Sequence, residues 1–371
     1  MKLVVFGLTI SSSWGNGHAT LWRGLCKSLA KRGHEVVFFE KDAPWYSSAR
    51  DYTELPGRGR LIVYEAWENL PAADVRRTLD DADVAMVTSF CPDGIAATDL
   101  VCASKAGLKV FYDLDSPVTL DLLRSGAAAS WVGPRGYRDF DLVLSYTGGR
   151  TLDELRRLLG ARHVAPLYGS VDPDIHQPVP ADERFRADLS YLGTWSADRS
   201  AALNVRFVEA AARLPGSKFI LGGSKYESDF PWLPNMFFVS HLPPAQHAAF
   251  FCSSGLTLNV TRGPMAAMGY CPSGRLFEAA ACGVPVLSDR WEGLESFYEP
   301  GAEILVCDTT AEAVDYIQSP SGWLTHVGRN ARERTLACHT ADIRAAELEH
   351  LIEDAAGTPA HPFEAELTCG V

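Results

Sequence analysis

The chain has 371 residues, of which 47% are apolar and 22% charged, and a formal net charge of -12. That length accommodates two domains with full cores, and that composition excludes a disordered or fibrous chain. The acidic balance, with no strong basic block, makes nucleic acid and anionic membranes unlikely partners, although a local basic cleft can still hold phosphates. Nine cysteines are scattered with no C-x-x-C pair. This usage fits reduced thiols and a cytoplasmic location better than a disulfide framework.

The opening run Met1–Gly7 is too short for a signal h-region and reads as a first strand. No apolar run approaches membrane-spanning length. Residues Ala19–Arg32 carry Leu21, Leu25 and Leu29 at helical spacing, and Gly33 closes the helix. Further strands are predicted at Glu35–Glu40, Leu61–Tyr64, Val84–Thr88, Lys109–Asp113 and Asp141–Tyr146, with helical segments between most of them. Pro166, Pro173, Pro178 and Pro180 then break the rhythm. We read 1–165 as a first Rossmann-like domain and 166–180 as a linker.

A second alternating set follows in 181–320. Strands are predicted at Asp188–Leu192, Lys218–Leu221, Met236–Val239, Leu256–Asn259, Val286–Ser288 and Ile304–Val306. Helices are predicted at Ala197–Leu214, Pro244–Cys252, Gly274–Ala281 and Thr310–Ile317. Residues 321–356 read as C-terminal helices and 357–371 as a loose tail. Strands separated by helix-length connections give α/β domains with parallel sheets. Two such domains would face each other across a cleft at their C-terminal strand edges, where open α/β sheets bind ligands.

The run Pro272-Ser273-Gly274-Arg275-Leu276-Phe277-Glu278 is a small-residue loop opening a helix. Free N–H groups and the positive dipole end at Ser273 and Gly274 suit a diphosphate, with Arg275 beside them. Glu278, about one turn further in, is placed to accept from a ribose hydroxyl pair; an ordinary β-loop-α unit with a buried Glu fits equally. Gly193, Thr194 and Arg199 form a second strand-to-helix loop suited to phosphate, or a helix start with a solvated arginine. Asp289, Glu292 and Gly293 follow another strand, where the carboxylates suit sugar hydroxyls.

In the first half, the loop Leu8–His18 lacks G-x-G-x-x-G spacing, which lowers the case for a dehydrogenase. His18 stands near a helix start, where the dipole favours a neutral imidazole suited to base catalysis. Asp115 could orient it, the substrate hydroxyl being the nucleophile; equally, His18 begins a helix and Asp115 supports a turn before Ser116-Pro117, with Ser116 as the cap. No metal-ligand spacing appears: His241 and His247 are not on one helical face.

The C-terminal run 272–283 with Pro285, then Glu292-Gly293-Leu294 and 299–304, resembles spore-maturation-type (CgeB-like) glycosyltransferases. The opening run 11–18 and Trp45-Tyr46 resemble the same family. The resemblance spans most of residues 1–318 and implies the GT-B architecture of two facing Rossmann-like domains. It implies Glu278 on the donor ribose, Ser273, Gly274 and Arg275 near the diphosphate with Arg199 opposite, and Asp289 to Gly293 near the sugar. Tyr270 stands where the best-described retaining relatives carry a glutamate, and no lysine follows Arg199 as it does there. Gly17-His18 is similar to the catalytic-histidine region of inverting plant-type glycosyltransferases, and Asp115 fits the interval to their aspartate. The expected activity is metal-independent transfer of a hexosyl-type sugar from a nucleotide-diphosphate donor to a hydroxyl acceptor, with no cofactor. A nucleotide-sugar 2-epimerase and a non-catalytic nucleotide-sugar-binding protein are the alternatives.

Overall fold

The structure, a computed structural model, describes residues 1–227 and 229–357. The expected loose tail lies, beyond Gly357, outside the described residues. Contacts divide the chain into two compact units. One holds Met1–Tyr168 together with the described residues from Ala341 on; the other holds Gly169–Thr340.

The first unit is built on seven strands: β1 Lys2–Gly7, β2 Glu35–Lys41, β3 Arg60–Tyr64, β4 Val84–Thr88, β5 Leu108–Asp113, β6 Leu142–Ser145 and β7 Val164–Pro166. They lie in the order β3-β2-β1-β4-β5-β6-β7, every pair parallel. The predicted strands are all present, within a residue or so at each end; β7, three residues ending on a proline, was not anticipated. Val4, Val5, Phe6 and the whole of β4 are buried, because helices cover both faces of a parallel sheet. Trp22, Leu25 and Leu29 of the helix His18–Lys31 pack on Leu3, Val5 and Phe38. The last helix, Ala341–Ala355, adds Ala345, Leu348 and Ile352 to this same core. Its Glu349 pairs with Arg32 and His34.

The second unit has six parallel strands: β8 Ala187–Leu192, β9 Phe219–Gly223, β10 Met236–Ser240, β11 Ser254–Asn259, β12 Val286–Ser288 and β13 Leu305–Val306. Their order is β10-β9-β8-β11-β12-β13. Strand order therefore reverses at β1/β4 in one sheet and at β8/β11 in the other. The crevice beyond the strand ends at such a reversal is where open sheets bind ligands.

The segment predicted as one helix, Ala197–Leu214, is broken. Helix Ala197–Leu203 passes through a π-helical turn, Asn204–Val208, into Glu209–Arg213. The turn presents the buried Arg206, which donates from Nε to the Cys307 carbonyl at 2.8 Å. Among the described residues, no helix is long and apolar enough to cross a membrane.

Candidate functional site

In the first unit the site is assembled by loops following β1, β4 and β5. His18 is the first residue of the helix after β1. Its Nε2 lies 2.8 Å from Asp115 Oδ2. Asp115 occupies the cap position of the helix Ser116–Arg124, one residue earlier than the expected cap at Ser116. Asp115 is held by four further hydrogen bonds: its amide donates to Asp113 Oδ1 at 3.1 Å, its carbonyl accepts from Val118 and Thr119, and Ser89 Oγ donates to Oδ2 at 3.4 Å. An ionised carboxylate only accepts, so a neutral His18 carries its proton on Nε2 and leaves a lone pair on Nδ1. That Nδ1 is buried and has no partner. Phe90, at φ 59, presents its ring to the His18 edge at 6.1 Å and stacks on Trp131 at 4.1 Å.

The loop leading to His18 is pinned by a residue outside the expected site. Glu40, fully buried at the end of β2, accepts from Thr9 Oγ1 at 2.9 Å, Ile10 N at 2.8 Å, Ser11 N at 2.9 Å and Ser11 Oγ. The signal available was a carboxylate closing an apolar strand beside a serine-rich loop. Beneath Asp115, Asp113 is wholly enclosed. Burial pushes its carboxyl up to about 6, against the opposing hydrogen bonds from Tyr137 Oη and Thr119 Oγ1.

In the second unit, the loops after β8, β11 and β12 meet. Arg262 Nε donates to Asp198 Oδ2 at 3.0 Å, and Thr261 donates from N and Oγ1 to Asp289 Oδ1 at 2.9 and 3.0 Å. One of the two Asp289 carboxylate oxygens is thus already engaged within the protein. Burial raises its carboxyl, with the Thr261 bonds opposing. Gly193 donates to Gly222 O, and its own carbonyl accepts from Tyr226 Oη. Arg199 Nη1 donates to Thr194 O at 3.3 Å, while its buried Nε has no partner. Glu292 is exposed, and its carbonyl accepts from Tyr270 N. Gly293 has φ 86, and a Cβ there would stand 2.4 Å from the Tyr270 ring.

The helix Gly274–Ala281 forms where it was predicted, with Ser273 as its cap accepting from Arg275 N at 3.3 Å. Arg275 is partly exposed and ion-pairs with Glu278, which is 4% exposed. Burial acts to raise the Glu278 carboxyl, but the Arg275 guanidinium, with His176 and His247 behind it, outweighs burial and holds the group well below the usual carboxylate range. Glu278 also faces two imidazoles, His176 and His247, from positions with no local spacing to link them. Among the described residues this trio is the one His/Cys/Asp/Glu group compact enough to hold a metal ion.

Residues 199–350 match the family model described as glycosyl transferase-like. No curated relative matches the chain. Among solved structures, the fold is similar to sucrose-phosphate synthase from Thermosynechococcus elongatus, at 16% identity, TM-score 0.71, with 95% of this chain and 99% of that one covered. It is similar to HepE of Anabaena in complex with UDP and glucose, at 14% identity, TM-score 0.67, covering 95% and 100%. It is also similar to an alpha-glucosyltransferase in complex with UDP and a 13-mer DNA, at 12% identity, TM-score 0.66, covering 95% and 99%. At these identities the likeness is one of fold, and the chain has the two-sheet α/β architecture of GT-B glycosyltransferases.

Proposed function

We propose that the protein is a glycosyltransferase that moves a sugar from a nucleotide-diphosphate donor to a hydroxyl acceptor. The observation that carries this reading is the glycosyl transferase-like match over 199–350. Most of it falls on the second unit, which carries Arg199, Ser273, Arg275 and Glu278. In this reading the second unit grips the donor. Glu278 accepts from the ribose, and Arg275, Arg199 and the helix start at Ser273 and Gly274 stabilise the departing diphosphate. Similar folds bind UDP and glucose, which supports a hexosyl donor of this kind. The particular spore-maturation-type branch rests on the sequence resemblance of 272–285, 292–294, 299–304, 11–18 and Trp45-Tyr46.

Base catalysis falls to His18. Asp115 fixes its tautomer and would stabilise the imidazolium formed when Nδ1 takes the acceptor proton. The orphaned Nδ1 lacks only the hydroxyl such an acceptor would bring. One similar structure holds DNA, but a net charge of -12 opposes a polyanionic acceptor here. The diphosphate is neutralised by protein cations in this scheme, so added magnesium should not raise turnover.

The test is calorimetry of nucleoside diphosphates against the wild type and Arg275→Ala. Binding that weakens sharply in the variant is expected; equal affinity removes the phosphate site. Incubating donor alone and following the sugar by NMR separates transfer from epimerisation.

A further inference from the structure

We propose that His176, His247 and Glu278 form a divalent transition-metal site of the zinc class, tying the segment after β7 to the helices His247–Cys252 and Gly274–Ala281. This goes beyond the donor-binding reading and does not depend on it. The three side chains are 4%, 3% and 4% exposed. One ring nitrogen of each histidine and a carboxylate oxygen lie within 4.8 Å of one another. His247 Nδ1 is 3.6 Å and His176 Nε2 3.9 Å from the same atom, Glu278 Oε2.

The tautomer of His247 is fixed by its outer nitrogen. Nε2 lies 3.2 Å from the Leu242 carbonyl, which can only accept, so Nε2 carries the proton. Nδ1 is then a bare lone pair aimed at a carboxylate oxygen, buried and without a hydrogen-bond partner. Two lone-pair atoms facing each other in a dry interior repel unless a positive centre lies between them. An imidazole whose far N–H is anchored on a backbone carbonyl is the usual arrangement of a metal-bound histidine. His176 repeats the problem: both of its nitrogens are buried and neither has a partner. Neutral imidazole is the form that ligates metal.

The spacing fits. Metal–ligand bonds of about 2.0–2.1 Å in a tetrahedral site put ligand atoms about 3.3 Å apart. The observed 3.6 and 3.9 Å to Glu278 need contractions of about 0.3 and 0.6 Å, and the two ring nitrogens, within 4.8 Å of each other, close by at most about 1.5 Å on binding. Two nitrogens and one carboxylate select zinc-class ions over magnesium or calcium, which prefer all-oxygen sets, and leave a fourth position for water. The charged groups facing the trio are Arg275, which contacts Glu278, and Asp172, which acts on His176. A bound dication displaces the Arg275 guanidinium from Oε2; its side chain is 30% exposed, so it has solvent to move into.

The test is made on the full chain, purified without chelator and with any affinity tag removed, reconstituted with zinc and desalted. Elemental analysis should find about one zinc per chain. His176→Gln and His247→Gln should each lose it, while a change at the exposed His241 should not. Cobalt-substituted protein should give an X-ray absorption shell of nitrogen and oxygen with imidazole scattering and no sulfur. This last measurement decides the matter on the wild type should the glutamine variants fail to fold. Zinc-free protein after reconstitution, sulfur in the shell, or metal retained by both variants overturns the proposal. The readout uses no nucleotide, so its failure leaves the donor reading standing, and failed nucleotide binding leaves this one standing.

Discussion

Replacing Arg275 with alanine leaves the Glu278 carboxylate buried with no cation beside it in metal-free buffer. Removing one member of a buried ion pair costs about 3–5 kcal/mol. The Arg275 side chain is 30% exposed, so solvent already screens part of the attraction and about 2–3 kcal/mol is the fitting figure here. For a unit the size of Gly169–Thr340 that corresponds to a Tm lower by about 5–10 °C. The sign of the pH dependence follows from the carboxyl. In the wild type its folded value lies below the unfolded one, so the pair contributes stability above about pH 4.3 that is lost as pH falls through the folded value. In Arg275→Ala burial still acts and only the smaller contributions of His176 and His247 oppose it, so the folded value moves up and the pair's stability at neutral pH is lost. The gap between the two proteins should therefore be widest near pH 7 and narrow on acidification. Arg275→Ala/Glu278→Gln, which removes the buried charge altogether, should recover at least half of the lost Tm. Thermal unfolding of the four proteins of this cycle across pH is the assay. Unchanged Tm in Arg275→Ala, or a double variant less stable than the single, refutes the pairing.

Glu40→Gln replaces one acceptor oxygen with an N–H₂ group facing N–H and O–H donors, and should lower first-unit stability by about 1–3 kcal/mol; hydrogen exchange at residues 9–13 should rise with it, and unchanged protection would reject the anchoring role. Asp113 has a folded value raised to about 6, so it binds its proton more tightly folded than unfolded and stability falls as pH rises from about 4 to 6 by about 2–3 kcal/mol. Asp113→Asn, with Tyr137 Oη free to turn and accept, should flatten that slope; a slope that persists in denaturant titrations assigns it elsewhere. His18→Ala and Asp115→Asn should reduce kcat by about 10²–10⁴ with nucleotide diphosphate affinity intact, and full activity in His18→Ala rejects the base.

The parts of this molecule that could be read in advance are those whose information is local. The strands of a covered parallel sheet announce themselves as short apolar runs, as Val84–Thr88 does, and the helix Gly274–Ala281 carries its own cap in Ser273 and its stop in Gly283. The pairing of His18 with Asp115 was also accessible, because each follows a strand end in one sheet and topology brings such ends together. Other features depend on distant partners. Glu40 looks like the last residue of a strand until the Thr9–Ser11 loop folds over it. The capping box of Thr309 and Glu312 at the start of the helix Thr310–Ile317 is local, whereas the π turn at Asn204–Val208 is not: nothing in NVRFV differs from ordinary helix, and the turn exposes its consequence only when Arg206 reaches Cys307 about a hundred residues on. The same limit governs His176 and His247. Neither stands at ligand spacing from the other or from Glu278, and each lies in a segment with a sufficient local account, a proline-rich connection and a short helix. Their convergence on one carboxylate oxygen is a property of three elements packed together, and a buried lone pair with nothing to bind is the physical mark by which such a convergence is recognised.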